Sequence, residues 1–398
     1  MEAQEHRLPT LFIIPLIQFF VGLLLFIALL HGQRDLTMLA FLVLGMVIAA
    51  RLWSRLSLSG IKSYSTVDAH KVFPGETLTL KMSAENAKLL PVWLQMKVPV
   101  DGALHPSSRE TTFAKESGLL WYQRAQFQWE LTAQRRGVHE IGPTQVKVAD
   151  LFGFFPREKE AQGSLHIIVY PRLVPLKPIS LPRRDLFGVP GAKSPVQDPI
   201  YILGTRDYQH WQPARYIHWK ASARHNRLQE KIFEPSEQEK VLLVVEVDQF
   251  AQNSAGESFE RTLEVVASLA VRLEQRGYAL GLVTNGVFVG GGPTILPIAR
   301  GPQQLPGILE ALARLHMEPN GDLVDILRSG LALPWGVSCV HFSYDQDGAS
   351  LATEGYFSHR KVPVVFVVSQ PRSISGEDKV RGKIYSLDDI CIKRAERK

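Results

Sequence analysis

The chain has 398 residues, enough for two or three domains. Its 45 Lys and Arg against 39 Asp and Glu give a net charge of +6, a mild excess that does not by itself indicate a nucleic-acid-binding protein. Hydrophobic residues at 45% and charged residues at 21% exclude a disordered chain, and the two cysteines exclude a disulfide framework or a cysteine-rich zinc site. So few thiols favour a reduced, cytoplasmic setting.

The N-terminal segment is apolar enough to enter a membrane. No Asp, Glu, Lys or Arg occurs from Leu8 to Gln33, and a second apolar run extends from Leu36 to Ala50. A helix needs about 20 apolar residues to cross a bilayer. A secretory signal peptide is the competing interpretation, but the first run is longer than a typical signal core and no small-residue cleavage site ends it. We predict a transmembrane hairpin over 1–56, with helices at about 8–31 and 36–53.

The charges beside the apolar runs predict the orientation of this hairpin. Both ends of a hairpin lie on the same side of the membrane, and Arg51, Arg55 and Lys62 follow the second run. In the short loop between the runs, the charge of Arg34 is cancelled by that of Asp35. The positive-inside rule therefore predicts a multi-pass protein of the inner (plasma) membrane with its soluble domains on the cytoplasmic side.

Residues 57–170 show the pattern of a β-sandwich domain. Several short stretches alternate polar and apolar residues, with glycine- and proline-containing turns between them: Thr77–Met82, Trp93–Val98, Gln126–Thr132 and Thr144–Val148. Residues 171–200 then hold seven prolines, which disfavour regular secondary structure and predict a connector.

The C-terminal part alternates predicted strands with predicted helices. Apolar runs typical of buried parallel strands occur at Val241–Val247, Ala279–Val283, Val337–Tyr344 and Val362–Val368. Helical periodicity occurs from Phe259 to Leu273, from Gln303 to His316 and from Leu323 to Leu331. This order predicts an α/β domain with an open parallel sheet over most of residues 201–398.

The most specific pattern in the chain lies at residues 204–234. It includes Arg206, Tyr208 and Arg215, followed by Ile-His-Trp-Lys-Ala-Ser-Ala-Arg at 217–224. It resembles the signature of a bacterial membrane-protein family known as domain of unknown function 58. Upstream stretches such as Asp150–Phe155 resemble further landmarks of that family. The family's usual Pro-Gly-Asp is replaced here by His210-Trp211-Gln212, so an acidic residue expected beside the basic motif is missing.

The resemblance implies a C-terminal domain similar to von Willebrand factor A domains (Rossmann-like). Those domains often bind a divalent ion through Asp-x-Ser-x-Ser after the first strand. Asp248 is present here, but both serines are replaced, at Phe250 and at Gln252. Because hard cations need several oxygen ligands, we expect a degenerate site near Asp248, no metal requirement and no cofactor, although Thr284 or Ser343 could contribute a ligand after folding.

The signature segment is the candidate functional site. Its residues are predicted to bind a partner or to serve as structural anchors: Arg206, Tyr208, Arg215, His218, Trp219, Lys220, Ser222 and Arg224. We predict a helix from Pro213 to Asn226. Basic and aromatic residues together could contact a protein, anionic lipid or nucleic acid, although nucleic acid is not expected. In the structural alternative, Ile217 and Trp219 anchor the segment to the following sheet.

Two functions are compatible with these patterns. The sequence has no phosphate-binding loop, nucleophile elbow or zinc-binding His-Glu-x-x-His motif. In the first hypothesis the protein is a membrane-anchored, non-enzymatic adaptor, and the family resemblance implies a MoxR-type AAA+ ATPase as partner in envelope or secreted-protein assembly. In the alternative, it is an enzyme that acts on an anionic substrate through His218, Lys220 and nearby arginines, with Ser222 one helical turn from His218.

Overall fold

The structure is a computed structural model that describes residues 10–57, 60–104, 112–149, 156–161, 163–179, 197–209, 213–235, 239–330, 333–334, 336–346, 348–370 and 383–392. The chain divides into two units, Met1–Tyr170 and Pro171–Lys398. Residues 8 and 9 of the predicted first helix, and residues 180–196 of the predicted connector, lie outside the described residues.

The first unit begins with two helices that pack against each other, α1 (Thr10–Leu30) and α2 (Arg34–Ser57). Ala28 and Ala40 are buried, and small residues of this kind let two helices approach closely. Many large apolar side chains of both helices are exposed, including Phe26 and Leu42. By length and composition, the α2 segment Arg34–Trp53 could cross a membrane. In α1, the apolar stretch found by the same search is the shorter Phe19–Leu30.

The rest of the first unit is built from strands. Among its described residues these are β1 (Ile61–Val67), β2 (Lys71–Val72), β3 (Thr77–Asn86), β4 (Val92–Pro99), β5 (Thr112–Leu119), β6 (Arg124–Thr132), β7 (Gly137–Ile141), β8 (Gln145–Ala149), β9 (Arg157–Glu160) and β10 (Leu165–Val169), with a 3₁₀ turn at Gly102–Leu104. They form sheets in the orders β1-β3-β6, β2-β10-β7 and β5-β4-β8-β9. The predicted strands therefore exist as β3, β4, β6 and β8.

Alternate residues of these strands share a hydrophobic core. In β3 the inward side chains include Leu78, Leu80 and Met82, and β4 contributes residues such as Leu94 and Met96 to the same core. The intervening residues are more exposed, which is the two-residue period expected of sheets with one buried face.

The second unit contains the α/β region. Its described elements are β11 (Gln197–Asp207), a 3₁₀ turn (Ala214–Tyr216), α3 (Trp219–His225), β12 (Gln229–Pro235), β13 (Lys240–Val245), α4 (Asp248–Gln252), α5 (Gly256–Gln275), β14 (Ala279–Thr284), β15 (Gly286–Phe288), β16 (Ile295–Ala299), α6 (Gln304–Arg314), β17 (Leu315–Pro319), α7 (Leu323–Gly330), β18 (Val337–Ser343), α8 (Gly348–His359), β19 (Val364–Val368), β20 (Lys383–Ser386) and α9 (Leu387–Ile390).

A mixed sheet organises this unit. Its strands follow the order β16-β14-β13-β18-β19-β20, and all neighbours are parallel except β16, which runs antiparallel to β14. The sequence pattern did not identify the edge strands β16 and β20 or the helix α8. Pro297 lies within β16, and a proline in a strand is tolerated at a sheet edge, where a main-chain donor is not needed.

The described part of the proline-rich stretch crosses the surface of α5. The main-chain N–H of Val174 donates to the hydroxyl of Ser268 at 2.8 Å. Farther along, Nη1 of Arg272 donates to the carbonyl of Leu176 at 3.0 Å, and the N–H of Lys177 donates to the carbonyl of Ile390. The main-chain hydrogen-bonding groups of this proline-rich segment are therefore satisfied by side chains of α5 and by main chain distant in the sequence, and not by a regular sheet.

A buried pair of titratable side chains joins the two central strands of the sheet. Glu246 follows β13, His341 lies on β18, and both side chains are inaccessible to solvent. Nε2 of His341 is 3.2 Å from Oε2 of Glu246, although the two atoms are not aligned as a hydrogen bond. Each side chain therefore faces a polar group at a position that solvent does not reach.

We expect Glu246→Ala to destabilise the α/β unit by about 2–5 kcal/mol, because it leaves a cavity and removes the polar group that faces the fully buried imidazole of His341. The buried thiol of Cys339 on β18 supplies the measurement, through its reactivity in a urea titration of the full chain with Cys391 replaced by Ser. Glu246→Leu combined with His341→Leu is the control and should recover most of the loss. A single variant as stable as the unchanged chain would contradict the expectation.

Candidate functional site

The signature residues lie on and between two paired strands. β11 and β12 are antiparallel, and their register places Arg206 opposite Glu230. Residues 208–228 connect the strands. The N–H of Tyr208 donates to the carbonyl of Leu228 at 2.9 Å, which closes the base of this connection. The signature is therefore a long connection held between two strands, and only part of it is helical.

Two acidic residues neutralise the base of the connection. Nε of Arg206 donates to Oε1 of Glu230, whose side chain is only 3% exposed. Oδ2 of Asp207 accepts from Nη1 of Arg227 at 3.0 Å. Arg206 and Arg227 therefore have acidic partners on β12 and β11, while residues 210–212, where the family's aspartate is missing, lie outside the described residues. Glu230 was not identified from the sequence, and the pairing of its strand with Arg206 is the signal that identifies it.

His218 and Ser222 connect the short helix α3 to β12. Nδ1 of His218 accepts from the N–H of Ala221 at 3.0 Å, so the imidazole caps the helix. The hydroxyl of Ser222 donates to the carbonyl of His218 at 3.1 Å and accepts from the N–H of Gln229 at 2.8 Å. The N–H of His218 donates to the carbonyl of Gln229 at 2.7 Å. Both side chains thus satisfy main-chain groups.

The helix is shorter than the predicted segment from Pro213 to Asn226. A 3₁₀ turn comes first, and the main chain at Ile217 is extended, which separates that turn from α3. Ile217 is buried and forms an isolated bridge with Glu230. Asn226 ends the helix in the left-handed conformation with φ 54°, as its residue type predicted.

The expectation that Trp219 anchors the segment is wrong. Trp219 is the first residue of α3 and its side chain is 70% exposed, whereas Ile217 occupies the buried position. The extended main chain at Ile217 changes the direction of successive side chains, so the predicted continuous helical face does not exist. A large exposed indole on a hydrogen-bonded segment is available for contact with another molecule.

Exposed cations flank Trp219 along the chain. Arg215, Lys220 and Arg224 are exposed, and the guanidinium of Arg215 lies 5.1 Å from the ring centre of Tyr216. We call Trp219 with these three cations the Trp219 surface. It combines one large apolar contact with positive charge, a composition found at the energetic centres of protein interfaces.

At the degenerate ion site, Asp248 and its neighbours form hydrogen bonds with other groups of the protein. Nδ2 of Asn285 donates to Oδ2 of Asp248, and Oδ1 of Asn285 accepts from the N–H of Val247 at 2.9 Å. Next to Asp248, the side-chain oxygen of Gln249 accepts from the N–H of Asp345 at 2.6 Å. Asn285 is fully buried and was not identified from the sequence.

The other proposed ligands near Asp248 are equally buried. The hydroxyl of Thr284 accepts from the N–H of Gly286 at 3.2 Å, and the hydroxyl of Ser343 has no hydrogen-bond partner. Among the described residues, no group of three or more His, Cys, Asp and Glu side chains is arranged to hold a metal ion. Independence from metal stays a prediction, which magnesium or chelator added to a thermal melt can test.

Burial raises the pKa of Asp248, the hydrogen bond from Asn285 partly offsets this, and the charges of Glu246 and Asp322 raise it further. The ionised form is therefore disfavoured in the folded state. As pH rises from about 4, the unfolded aspartate ionises first, so its contribution to stability falls through this range and stays reduced at neutral pH.

We expect Asp248→Asn to keep the acceptor for Asn285 and to raise the melting temperature at pH 7. The gain should shrink as pH falls toward about 4, where Asp248 is neutral in both states. Thermal exposure of the Cys339 thiol in the full chain measures both effects. Asp322→Asn, which changes a more distant charge, is the control and should give a smaller gain. An Asp248→Asn variant less stable at pH 7 than at pH 4, relative to the unchanged chain, would contradict the sign of the shift.

Comparison with known proteins identifies a family for the signature region. Residues 204–331 match the model of a family described as Protein of unknown function DUF58. Over 300 residues the chain is 23% identical to the Uncharacterized protein YeaD of Bacillus subtilis (strain 168). The aligned region covers 74% of this chain and 73% of the relative.

Solved structures give only weak likenesses. The alkylpurine DNA glycosylase AlkC of Pseudomonas fluorescens is 15% identical with a TM-score of 0.20, over 28% of this chain and 30% of that chain, so the match spans under a third of its length. The CARDB domain of a Pyrococcus furiosus protein is 11% identical with a TM-score of 0.20, over 28% of this chain and 96% of that domain. TM-scores this low carry no argument about fold or function.

Proposed function

We propose, from the premise that this chain belongs to the DUF58 family, that it is a membrane-anchored, non-enzymatic adaptor. In this proposal a two-helix hairpin holds the protein in the inner membrane. Its soluble units lie on the cytoplasmic side, where the Trp219 surface docks a protein partner. The observation that carries the proposal is the 70% exposure of Trp219 on a segment whose neighbours are held by hydrogen bonds.

The exposed apolar side chains of α1 and α2 support the membrane anchor. Residues such as Phe26, Leu30, Met38 and Leu42 would contact water if the hairpin were in solution, and lipid removes that cost. The α2 segment Arg34–Trp53 is long enough for a crossing. The proposed crossing by α1 rests on its length of 21 residues.

The indole of Trp219 is the proposed anchor of the interface. Tryptophan and arginine are enriched among residues that dominate binding energy, because each combines a large contact area with a directional donor. The fixed main chain around Trp219 limits the conformational entropy that docking would cost.

The charge of the Trp219 surface indicates the chemistry of the partner. Arg215, Lys220 and Arg224 are exposed positive charges within five residues of Trp219 in the sequence, and the complement of such charges is an acidic protein face with a pocket for the indole. We propose a MoxR-type AAA+ ATPase as this partner, in the assembly of envelope or secreted proteins. That choice rests on the family resemblance of the signature.

The topology of the C-terminal sheet fits a domain similar to von Willebrand factor A. Its order β16-β14-β13-β18-β19-β20 places β13 and β18 side by side in the centre, with an antiparallel strand at one edge. In open sheets of this kind, ligands bind outside the carboxyl ends of the strands, where the order reverses. Asp248 lies at that position, so the sheet offers a second place for partner contacts.

The enzyme alternative receives no support from the site geometry. An enzyme that used His218 would need its imidazole close to a nucleophile or substrate proton. Instead Nδ1 of His218 caps α3, and the hydroxyl of Ser222 is bonded to main-chain groups.

We expect Trp219→Ala to abolish partner capture while changing stability by no more than about 0.5 kcal/mol, because the side chain is exposed. Lys220→Ala with Arg224→Ala should weaken capture and relieve a like-charge contact worth a few tenths of a kcal/mol. The measurement is photo-crosslinking in cells from the exposed Ala223 position on α3, which leaves Trp219 in place, and pull-down of the ATPase by the full chain.

The matched control is Trp121→Ala, which removes another exposed indole, 59% exposed against 70% for Trp219, from the first unit and should leave capture unchanged. Equal capture by the Trp219→Ala variant and the unchanged chain would refute the proposed docking surface. The exposure of Cys339 to thiol reagents verifies that each variant is folded.

The proposed orientation predicts that a reporter fused to Lys398, active only in the cytoplasm, will be active. Arg51 and Arg55 determine this outcome through the positive-inside rule, so replacing both by Glu should lower reporter activity. The protein should also resist extraction from membranes by alkaline carbonate. An inactive reporter on a stably expressed chain would contradict the cytoplasmic placement.

A further inference from the structure

We propose that one end of the β domain inserts into the lipid interface of the membrane. This end, which we call the aromatic tip, consists of Leu89, Leu120, Trp121 and Tyr122. The proposal rests on the proposed membrane anchoring by α2 and adds a second, independent contact with the bilayer. The aromatic tip belongs to the first unit, whereas the Trp219 surface belongs to the second.

The tip is unusual in what it exposes. Leu89 is 71% exposed, Leu120 51%, Trp121 59% and Tyr122 65%, although alternate apolar side chains of β3 and β4 behind them are buried in the core. All four belong to two neighbouring loops, between β3 and β4 and between β5 and β6. Contiguous exposed apolar side chains in a folded domain indicate a contact surface.

Hydrogen bonds fix the two loops to each other. Asn86 is fully buried, and its side-chain amide donates to the carbonyls of Leu90 and Leu120 at 2.9 Å each. The N–H of Tyr122 donates to the carbonyl of Lys88 at 3.3 Å. The apolar side chains are therefore presented by an ordered pair of loops.

The main-chain conformation of Tyr122 is a second indication that the aromatic tip is a contact surface. Its φ is 56°, a left-handed conformation that is uncommon for an aromatic residue. Such a conformation costs about 1–3 kcal/mol and is found where the surrounding structure serves a function. A glycine or asparagine would adopt this conformation with less strain.

The tip lies beside the end of the proposed membrane helix. Nε1 of Trp53, the last residue of the apolar α2 segment, donates to the carbonyl of Pro91 at 3.0 Å, in the same loop as Leu89. β1 begins at Ile61, four residues after α2 ends, and Ile61 pairs with Asn86 at the tip end of β3. A crossing by α2 therefore brings this end of the β domain to the membrane surface.

The side chains match a lipid interface better than a protein groove. Tryptophan and tyrosine are enriched where a polar edge meets headgroups and an apolar ring meets acyl chains, which is also the expected position of Trp53. Arg51 and Arg55 are exposed near Trp53 and would meet anionic headgroups. Partial burial lowers the pKa of Lys88 to about 8, so this residue approaches the acyl region at less cost than an ordinary lysine.

The test places a fluorescent label at the tip of the full-length protein. Cys391 is replaced by Ser, because Cys339 is buried and does not react in the folded chain. Tyr122→Cys carries an environment-sensitive dye, and the protein is reconstituted in liposomes of neutral and anionic phospholipids, with or without brominated acyl chains. We expect blue-shifted emission and quenching by brominated lipid, as for groups buried about 5–10 Å into the interface.

The matched control is a label at Gln134→Cys. Gln134 is exposed beyond the opposite end of β3, whose 10 residues span about 30 Å. This label should keep the emission of a solvated dye and resist quenching. In a label-free version, Trp121→Phe should remove a quenchable share of tryptophan emission, whereas Trp219→Phe should not.

A third label, at Leu42→Cys in the middle of α2, separates the two proposals. Strong quenching at position 42 with a solvated, unquenched label at 122 overturns the aromatic tip alone and leaves that surface to a protein partner. A label at 42 that is not quenched overturns both the anchor and the tip. Quenching at 42 and 122 but not at 134 is the expected result.

Discussion

The pairing of Arg206 with Glu230 is the interaction on which the signature surface depends. It bridges β11 and β12 at paired positions, and the same register brings Gln229 to the main chain of His218 and the hydroxyl of Ser222. Because Glu230 is almost completely buried, removing its cation would leave an uncompensated charge. The segment that carries the exposed Trp219 is thus held by hydrogen bonds to β12, which itself pairs with β11. Some signature residues, such as His218 and Ser222, form these hydrogen bonds, whereas Trp219 is left exposed.

Much of the architecture follows from periodicity in the sequence. Alternation identified β3, β4, β6 and β8, and continuous apolar runs identified the parallel strands β13, β14, β18 and β19. The reason is that these segments bury one or both faces, so their residues record their surroundings. Elements with little buried surface, such as the edge strands β16 and β20, have no buried face that would impose an apolar pattern. They were therefore not predicted.

The candidate site was predictable in its residues but not in its geometry. The motif identified Trp219, yet its exposure depends on the extended main chain at Ile217, which no helical periodicity indicates. Asn285 and Glu230 were missed because each acts through a partner 24 or more residues away, Arg206 in one case and Asp248 in the other. Single-residue chemistry can be read from a sequence, whereas pairing across a sheet requires the register.

The short link between α2 and β1 has a consequence for how the first unit moves. Only residues 58, 59 and 60 separate the helix from the strand, and the bond from Trp53 to Pro91 shortens the effective tether further. If α2 crosses the membrane as we propose, a domain attached in this way diffuses in two dimensions and cannot tumble freely. Its loops then keep one height above the bilayer, and a molecule that meets them in the membrane plane loses less orientational freedom than it would on binding a protein in solution.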